Sequence, residues 1–230
     1  MRTKKDDKGA HKRPARGGRS SARGRNRAPY RKSEGTRRRI LDAAAHLFRR
    51  KGYAATSLRD IAGRAHMISG SIYYHFGSKE EILDAVLQEG IITLHAAVQK
   101  AIEALPKNAS PRERIAVAVR AHMAALLVQG DYIRANATEF ERAPGAIRKR
   151  NLALRQRYAA YWRALFDEAK AARQIRDGVD LRLLRLFMLG ALHWSVDWYD
   201  PTKQPISQLA DSLFKFFYYG VAAERDERRG

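Results

Sequence analysis

The chain has 230 residues and a strong excess of positive charge, with 45 Lys and Arg against 24 Asp and Glu. It contains no cysteine, which excludes disulfides and thiolate metal sites, and no apolar run approaches the roughly 20 residues that a membrane-spanning helix requires. The N-terminus lacks the apolar segment of a secretory signal, so we expect a cytoplasmic protein. The basic charge indicates a polyanionic partner, either nucleic acid or an anionic membrane surface, or else it only keeps the protein soluble; with the motifs below, we expect no membrane partner.

Residues 1–32 form a distinct basic segment with 13 Lys or Arg side chains and two Asp. Large apolar side chains are almost absent there, so the segment cannot bury enough surface to offset the entropy lost on ordering. We therefore predict a disordered basic arm. Two roles remain open for it: a salt-sensitive grip on nucleic-acid phosphates, or a solvated tail without function.

After the arm, apolar residues recur at the spacing of α-helices, and the breaks fall at Gly and Pro positions. The first predicted helix covers 33–51, the second begins with Thr56 or Ser57 as its cap, and the third covers 69–74. Strand-like alternation is absent from the sequence, so an all-α protein of about nine helices is predicted. The remaining helices are predicted over 78–105, 111–129, 132–140, 145–174, 181–199 and 206–223.

The stretch TSLRDIAGRAHMISGSIYYHFGSKEE, which begins at Thr56, contains two short helical patterns separated by a tight break. Small residues open the second pattern, and hydroxyls, aromatic rings and a lysine follow them. Small residues let a helix approach a surface closely, and the polar groups can donate to phosphate oxygens. This arrangement is typical of a helix-turn-helix whose second helix enters the major groove of DNA.

Residues 36–83, TRRRILDAAAHLFRRKGYAATSLRDIAGRAHMISGSIYYHFGSKEEIL, resemble the DNA-binding domain of TetR-type regulators. The matching features are ILDAA and LF in the first helix, KGYAATSLRDIA around the second, and SIYYHFGSKEEIL after it. The resemblance implies a TetR-like fold, with a helix-turn-helix domain at 33–80 and a helical effector-binding and dimerisation domain at 81–225. It also places Ile72 and Phe76 in the core.

The resemblance further implies which residues contact DNA. Thr56 would cap the second helix and touch a phosphate. Lys79 would contact a phosphate and Tyr74 the DNA backbone, with a solvated lysine and a packing residue as the respective alternatives. The opening of the third helix lacks the Arg, Asn or Gln that make bidentate base contacts. Specificity is therefore expected to depend on Arg59, Tyr73, thymine methyl groups and DNA shape. The predicted DNA-binding residues are Arg37, Thr56, Arg59, Ser69, Gly70, Ser71, Tyr73, Tyr74, His75 and Lys79.

The last two predicted helices are apolar or small around most of their circumference. A helix that is apolar on more than one face must be covered on more than one side. One face can meet its own domain and the other a second subunit, which predicts a four-helix homodimer interface; a single buried core helix remains the alternative. The predicted interface residues are Leu184, Phe187, Met188, Ala191, Trp198, Leu209, Leu213 and Phe217.

The segments RQRYAAYWRALFDEAKAARQIRDGVD and LGALHWSVDWYDP resemble the C-terminal domain of a TetR subgroup that includes the FadR and KstR repressors. Members of that subgroup are released from DNA by acyl-CoA thioesters. The resemblance implies an apolar and aromatic pocket closed by Arg residues that meet CoA phosphates, with core packing as the alternative for each residue. The predicted lining is Tyr132, Arg134, Phe140, Arg155, Tyr158, Trp162, His193 and Trp194.

The sequence offers no support for catalysis. It contains no H-E-x-x-H, G-x-S-x-G, P-loop or G-x-G-x-x-G motif, and its seven histidines are scattered. We predict no enzymatic activity, no cofactor and no metal. The predicted function is a homodimeric, ligand-responsive repressor that binds a palindromic DNA operator at the nucleoid. The alternative is a basic nucleoid-binding protein that needs no effector.

Overall fold

The computed structural model describes residues 27–128 and 130–221, with side chains over 33–128 and 130–220. The chain divides into two compact units after Thr36. Of the first unit, residues 27–36 are described as the beginning of the first helix, and residues 1–26 of the predicted basic arm lie outside the described residues. All contacts discussed below belong to the second unit.

The described residues form nine α-helices joined by turns and loops, which confirms the predicted all-α class. Within this described part, no helix combines the length and the apolar character needed to cross a membrane. The helices are α1 (Arg27–Lys51), α2 (Leu58–Arg64), α3 (Ser69–Ile72), α4 (Lys79–Glu103), α5 (Pro111–Leu127), α6 (Gly130–Glu139), α7 (Gly145–Ala171), α8 (Leu181–Trp198) and α9 (Ile206–Val221).

Serine caps fix where three of these helices begin. Before α2, the hydroxyl of Ser57 accepts from the backbone N–H of Asp60 at 3.1 Å, and the Asp60 carboxylate accepts from the backbone N–H of Ser57 at 2.8 Å. Ser110 and Glu113 form the same reciprocal pair before α5, and Ser78 caps α4. Each cap stabilises its helix by about 1 kcal/mol, because it satisfies N–H groups that the helix leaves without partners.

Several helix boundaries differ by a few residues from the sequence-based expectation, and two of the differences, in α1 and α3, lie in the N-terminal part. Helix α1 begins at Arg27, so residues 27–32, which were predicted to be disordered, are helical. Pro29 is compatible with this start, because the first turn of a helix does not use the N–H that proline lacks. Helix α3 is shorter than predicted, because it ends at Ile72 and a turn follows it.

Two apolar clusters hold the second unit together. The first joins α1 to α4 and includes Phe48, Ile61 and Ile72, with Phe140 packed against them from the C-terminal part. The second lies between α4, α5, α7, α8 and α9 around the fully buried Trp162. The part predicted to bind DNA, from α1 to the beginning of α4, therefore shares a core with α6 and the beginning of α7, and cannot shift without disturbing them.

Candidate DNA-binding surface and effector pocket

The α2–α3 region is anchored from below by buried isoleucine and phenylalanine side chains. Ile61 and Ile72 are fully buried and Phe76 is nearly so, which confirms the predicted core positions of Ile72 and Phe76. In the turn between α2 and α3, His66 adopts the left-handed conformation with φ of 56°. Histidine tolerates this conformation better than most residues, so the turn holds without a glycine.

The side chains of Lys79 and Thr56 form hydrogen bonds to backbone carbonyl groups within this region. The Lys79 ammonium donates to the carbonyl oxygens of Tyr53 at 3.0 Å and Thr56 at 2.8 Å, and lies 4.2 Å from the centre of the Tyr53 ring. The Thr56 hydroxyl donates to the Gly52 carbonyl at 2.7 Å, and Thr56 is buried. This corrects the prediction that Thr56 caps α2 and touches a phosphate, since Ser57 is the cap and the Thr56 hydroxyl is enclosed.

The cap of α2 is held in its ionised form. Lys51 approaches the Asp60 carboxylate to 2.8 Å, and together with the hydrogen bonds from Ser57 it holds the pKa of Asp60 well below its usual range. Nearby, burial and the hydrogen bond to Glu80 raise the pKa of Tyr53 to about 12. Both groups keep one protonation state over the physiological range, so the charges around the start of α2 do not change there.

Most of the predicted DNA-contacting side chains lie on the surface. Tyr74 exposes 84% of its surface, so it does not pack in the core, and its ring meets His75 edge-on at 5.1 Å. The Arg37 guanidinium lies 4.8 Å from the centre of the Phe76 ring. Surface exposure makes these groups available to DNA. The exposed or partly exposed members of the predicted set are Arg37, Arg59, Ser69, Gly70, Ser71, Tyr73, Tyr74, His75 and Lys79.

An open pocket of about 350 Å³ lies between α4, α6, α7 and α8. Most of its wall is apolar, and its polar groups come from two arginines, a histidine, an asparagine, a glutamine and a tyrosine hydroxyl. It brings together Arg155, Tyr158 and His193 from the predicted set. The lining residues are Ile91, Leu94, Asn136, Leu152, Arg155, Gln156, Tyr158, Ala159, Arg185, Leu186, Leu189, Gly190 and His193.

Arg155 is a partly buried cation in the wall of this pocket. Its Nη1 donates to Oδ1 of Asn136 at 3.1 Å, and its guanidinium stacks over the Phe140 ring at 3.8 Å. Among the described residues, no carboxylate forms an ion pair with it. Burial lowers the pKa of Arg155, and burial with neighbouring arginines does the same for Arg185. The pocket therefore presents positive charge that no direct ion pair with the described residues neutralises, although the Glu141 carboxylate acts on Arg155 without forming an ion pair.

The histidines beside the pocket add hydrogen-bonding groups without adding charge. His122 is fully buried, and its Nδ1 lies 2.7 Å from the Tyr158 hydroxyl. Burial holds the pKa of His122 well below its usual range. Burial and the nearby Arg155 lower the pKa of His193 to about 4. Both imidazoles are neutral at pH 7, so the positive charge of the pocket belongs to its arginines.

Five residues predicted to line a pocket lie elsewhere. Tyr132 donates to Asp42 at 2.8 Å, Phe140 belongs to the first cluster, and Trp162 is enclosed in the second. Arg134 faces Arg49 and Asp131 at the junction with α1, and Trp194 is exposed on the far side of α8. The four aromatic corrections share one cause: an aromatic pattern shows that a position is apolar, and not which neighbour covers it. Arg134 was expected to meet an effector phosphate, and Arg49 and Asp131 are its charged neighbours instead.

The sequence-based prediction missed Asn136 and Arg185, both of which line the pocket. A signal for Arg185 was present in the sequence. Arg185, Leu189 and His193 follow one another at intervals of four residues, which places them on one face of α8. A charged residue and a histidine on one face of an otherwise apolar helix indicate a polar cavity beside that face.

Helix α8 has one apolar face that packs into the core and another apolar face that is exposed to solvent. Leu184 and Met188 on α8 and Leu209 on α9 pack into the chain's own core, which corrects their assignment to an interface with a second subunit. Leu213 and Phe217 are partly buried against the same core, and Ala191 is half-buried. The exposed apolar residues of the two helices are Leu183, Leu186, Phe187, Trp194, Trp198, Phe216 and Tyr219.

Helix α6 connects the pocket to helices α1 and α4. The Asp131 carboxylate lies 2.9 Å from both His46 and Arg49 of α1. Further along α6, the Asn136 amide donates to the Leu87 carbonyl of α4 at 2.6 Å while its oxygen accepts from Arg155. One short helix thus contacts α1, α4 and the pocket wall through polar side chains.

Two family models match the chain in the order of these two parts. The model "Bacterial regulatory proteins, tetR family" matches residues 40–86, and "Tetracyclin repressor-like, C-terminal domain" matches residues 108–221. The first contains α2, α3 and the beginning of α4. The second contains the pocket-lining parts of α6, α7 and α8. The resemblance seen in the sequence is confirmed for both parts.

Individual relatives agree with the family models. The Fatty acid metabolism regulator protein of Bacillus subtilis is 26% identical over 79% of this chain and 93% of its own. The repressor KstR2 of Mycobacterium tuberculosis is 29% identical over 74% of this chain and 86% of its own, and its solved structure aligns with a TM-score of 0.69. The crystal structure of superantigen PfiT is 32% identical over 84% of this chain and 98% of its own, also with a TM-score of 0.69.

The two curated relatives are regulators, as are the proteins that the matching models describe. The prediction that the chain is not an enzyme agrees with them. The two family models together cover the helix-turn-helix and the helical domain with the open pocket that follows it. The chain is a transcriptional regulator and belongs to the TetR family of bacterial regulatory proteins.

Proposed function

We propose that the protein is a homodimeric repressor that binds a palindromic operator and is released from it by an anionic, acyl-bearing effector such as an acyl-CoA thioester. The position of Asn136 carries this proposal. It lies in the pocket wall and is hydrogen-bonded to α4, the helix that begins in the DNA-binding part. An effector in the pocket would therefore act on the element that positions the DNA-contacting residues.

The α2–α3 surface supports DNA binding by its shape and charge. Arg59 on α2 is exposed and forms no ion pair with the described residues, and the Tyr73 ring at the end of α3 is also exposed. A Cβ added to Gly70 would meet nothing within 4 Å, so packing inside the protein does not require this glycine. Close approach to a DNA groove would explain it, because glycine weakens a helix that has no such need.

The exposed face of α8 supports a homodimer. Leu183, Phe187, Trp194 and Trp198 form an apolar stripe along one side of the helix, with the open Gly190 in its middle. Phe216 and Tyr219 extend the exposed apolar surface on α9. Apolar surface of this kind is uncommon on monomeric proteins. Two copies related by a two-fold axis would cover it and would align two recognition helices with a palindrome.

The pocket chemistry supports an anionic ligand with an apolar chain. A partly buried guanidinium without a carboxylate is costly, and an anion supplied by a ligand would remove that cost at Arg155 and Arg185. The volume of about 350 Å³ lies near the lower end of the roughly 300–1,000 Å³ of ligand pockets, which suits an acyl group. The CoA portion would extend to the open side. The relatedness to a fatty acid metabolism regulator supports this class.

The proposed release follows from competition for Arg155. An effector anion that binds the guanidinium competes with the Asn136 oxygen, which frees Asn136 to move relative to Leu87 of α4. Asp131 would pass the same displacement of α6 to α1. The effector lowers DNA affinity only to the extent that it binds the displaced state more tightly than the DNA-bound state.

DNA selection combined with mass measurement tests this proposal. Wild-type protein is expected to select one palindrome from random duplexes and to have the mass of a dimer in light scattering. Phe187→Glu should be a monomer and bind the selected palindrome at least tenfold more weakly, because a charge in an apolar interface is desolvated without a partner. Ile92→Glu alters an exposed isoleucine on α4 and serves as the control.

Two results would contradict the proposal. A monomeric wild-type protein would contradict the dimer. Equal affinity for all duplexes, falling steeply with salt, would favour the alternative of an effector-independent nucleoid-binding protein.

A further inference from the structure

Ile68 lies directly before α3 and exposes 76% of its surface. Ile72, four residues further along the same segment, is fully buried. The two isoleucines have the same apolar side chain and opposite surroundings. The packing of the core accounts for an isoleucine at position 72. Packing within the protein does not account for an isoleucine at position 68, because its side chain is exposed.

Ile68 also occupies a position where its residue type is unfavourable. It is the N-cap of α3, with extended backbone at φ −77° and ψ 145°, and it makes no side-chain hydrogen bond to the helix. Helices α2, α4 and α5 all have serine at this position. Isoleucine is among the poorest N-cap residues because it cannot accept from the exposed N–H groups. A sequence that breaks a local rule without structural gain indicates a functional residue.

The residues that follow Ile68 and the charge of the preceding helix indicate the chemistry of its partner. Ser69 and Gly70, which follow it, are small and exposed, so they leave the isoleucine side chain prominent. Arg59 and Arg64 on α2 are exposed and form no ion pair with the described residues. The partner must therefore combine negative charge with a small apolar group. In the DNA major groove, the apolar group on a base edge is the 5-methyl group of thymine.

We propose that Ile68 contacts a thymine methyl group in each half-site and supplies base preference that the Ser-Gly-Ser opening of α3 lacks. This rests on the proposed DNA-binding function. The contact requires no hydrogen bond, so it is compatible with a tip that offers no Arg, Asn or Gln. Removing the methyl group from the thymine, or the isoleucine from the protein, should abolish the same preference.

The test uses the tightest duplex that wild-type protein selects from a random library. Each thymine is replaced in turn by deoxyuridine, which removes only the methyl group, and affinity is measured by fluorescence anisotropy. Burying one methyl group corresponds to about a fourfold change in affinity. We expect one position per half-site to show about this loss, and the doubly substituted palindrome to bind on the order of 15-fold more weakly.

Three variants complete the test. Ile68→Ser should bind the thymine and deoxyuridine duplexes equally, and should melt no lower than wild type because serine supplies the missing cap. Ile68→Val keeps a branched apolar side chain and should keep most of the preference. Ile92→Ser, at an exposed isoleucine on α4, should change neither property.

The outcomes separate the two proposals. If wild type selects an operator but tolerates every deoxyuridine, or if Ile68→Ser keeps the preference for thymine, the role of Ile68 is overturned and the DNA-binding proposal stands. If wild type binds all duplexes alike, both are overturned.

Discussion

The DNA-binding part and the pocket region treat buried polar groups in opposite ways. In the first, the Lys79 ammonium and the Thr56 hydroxyl both donate to backbone carbonyls, and Ser57 and Asp60 cap each other. The buried side-chain atoms that lack a partner among the described residues all lie after residue 90. They are His95 Nε2, Arg114 Nε, His122 Nε2, Arg134 Nε, Asn151 Oδ1 and Trp162 Nε1.

The difference matches what each part is proposed to do. A DNA-reading tip gains from rigidity, and rigidity follows when every buried donor and acceptor is satisfied. The helices around the pocket leave buried polar atoms without a partner among the described residues at a cost to their own stability, and none of those atoms belongs to a residue that lines the pocket. The comparison therefore predicts that equivalent substitutions destabilise the first part and are tolerated in the second.

The largest expected effect is in the DNA-binding part. Lys79→Met should lower the free energy of unfolding by about 3 kcal/mol, because it removes two charge-assisted hydrogen bonds and leaves two carbonyls with fewer partners. Urea denaturation measures this change. Lys107→Met, at an exposed lysine in the loop before α5, is the matched control and should have little effect. An unchanged urea midpoint in Lys79→Met would mean that the lysine is merely a surface charge.

The next effect concerns the junction of α4 and α6. A Cβ at Gly90 would lie 2.4 Å from the Tyr132 carbonyl oxygen and 2.7 Å from Cβ of Asn136. Gly90→Ala should therefore lower the free energy of unfolding by about 2 kcal/mol, because backbone must move to admit it. Gly63→Ala, in α2 with open space around it, should instead stabilise slightly. Equal thermal stability of the two variants would show that the two helices are not tightly joined.

Acid should destabilise the pocket region through its histidines. The folded-state pKa of His193, about 4, lies below the ordinary value of 6.5, so the unfolded chain takes up the proton first as pH falls. The free energy of unfolding should be level above pH 6.5 and fall between pH 6.5 and 4, by about 1 kcal/mol per pH unit from this residue. His193→Asn should make the profile less steep in urea denaturation, while His122, whose pKa is also lowered by burial, keeps part of the acid dependence. His66→Asn, at an exposed position, should not; identical profiles for the two variants would contradict the assignment.

The sequence predicted the DNA-binding part more closely than the pocket region, for a physical reason. Short-range rules place Ile72 and Phe76 inside, because the spacing within one motif decides which face is buried. At Thr56 the same rules left two candidates for one cap, and the competing hydrogen bond to Gly52 decided between them. Trp162 and Trp194 are both aromatic residues in apolar helices, and only the packing of separate helices makes one core and the other surface.

The smallest expected change in stability belongs to Arg155. Arg155→Met removes the hydrogen bond to Asn136 and the stack on Phe140, but it also removes a partly buried cation, so the free energy of unfolding should fall by no more than about 1 kcal/mol. Thermal melting without ligand measures this. A loss of several kcal/mol would mean that Arg155 is a structural residue and not a reserved anion site.

Release of DNA by ligand tests the central claim most directly. Labelled duplex bound to wild type or Arg155→Met is titrated with acyl-CoA thioesters from butyryl- to palmitoyl-CoA, with free CoA as the control, and followed by fluorescence anisotropy. At least one thioester should release wild type, and the variant should need at least tenfold more of it, while free CoA releases neither. Release of both proteins at the same concentration, or of neither by any thioester, would contradict the account.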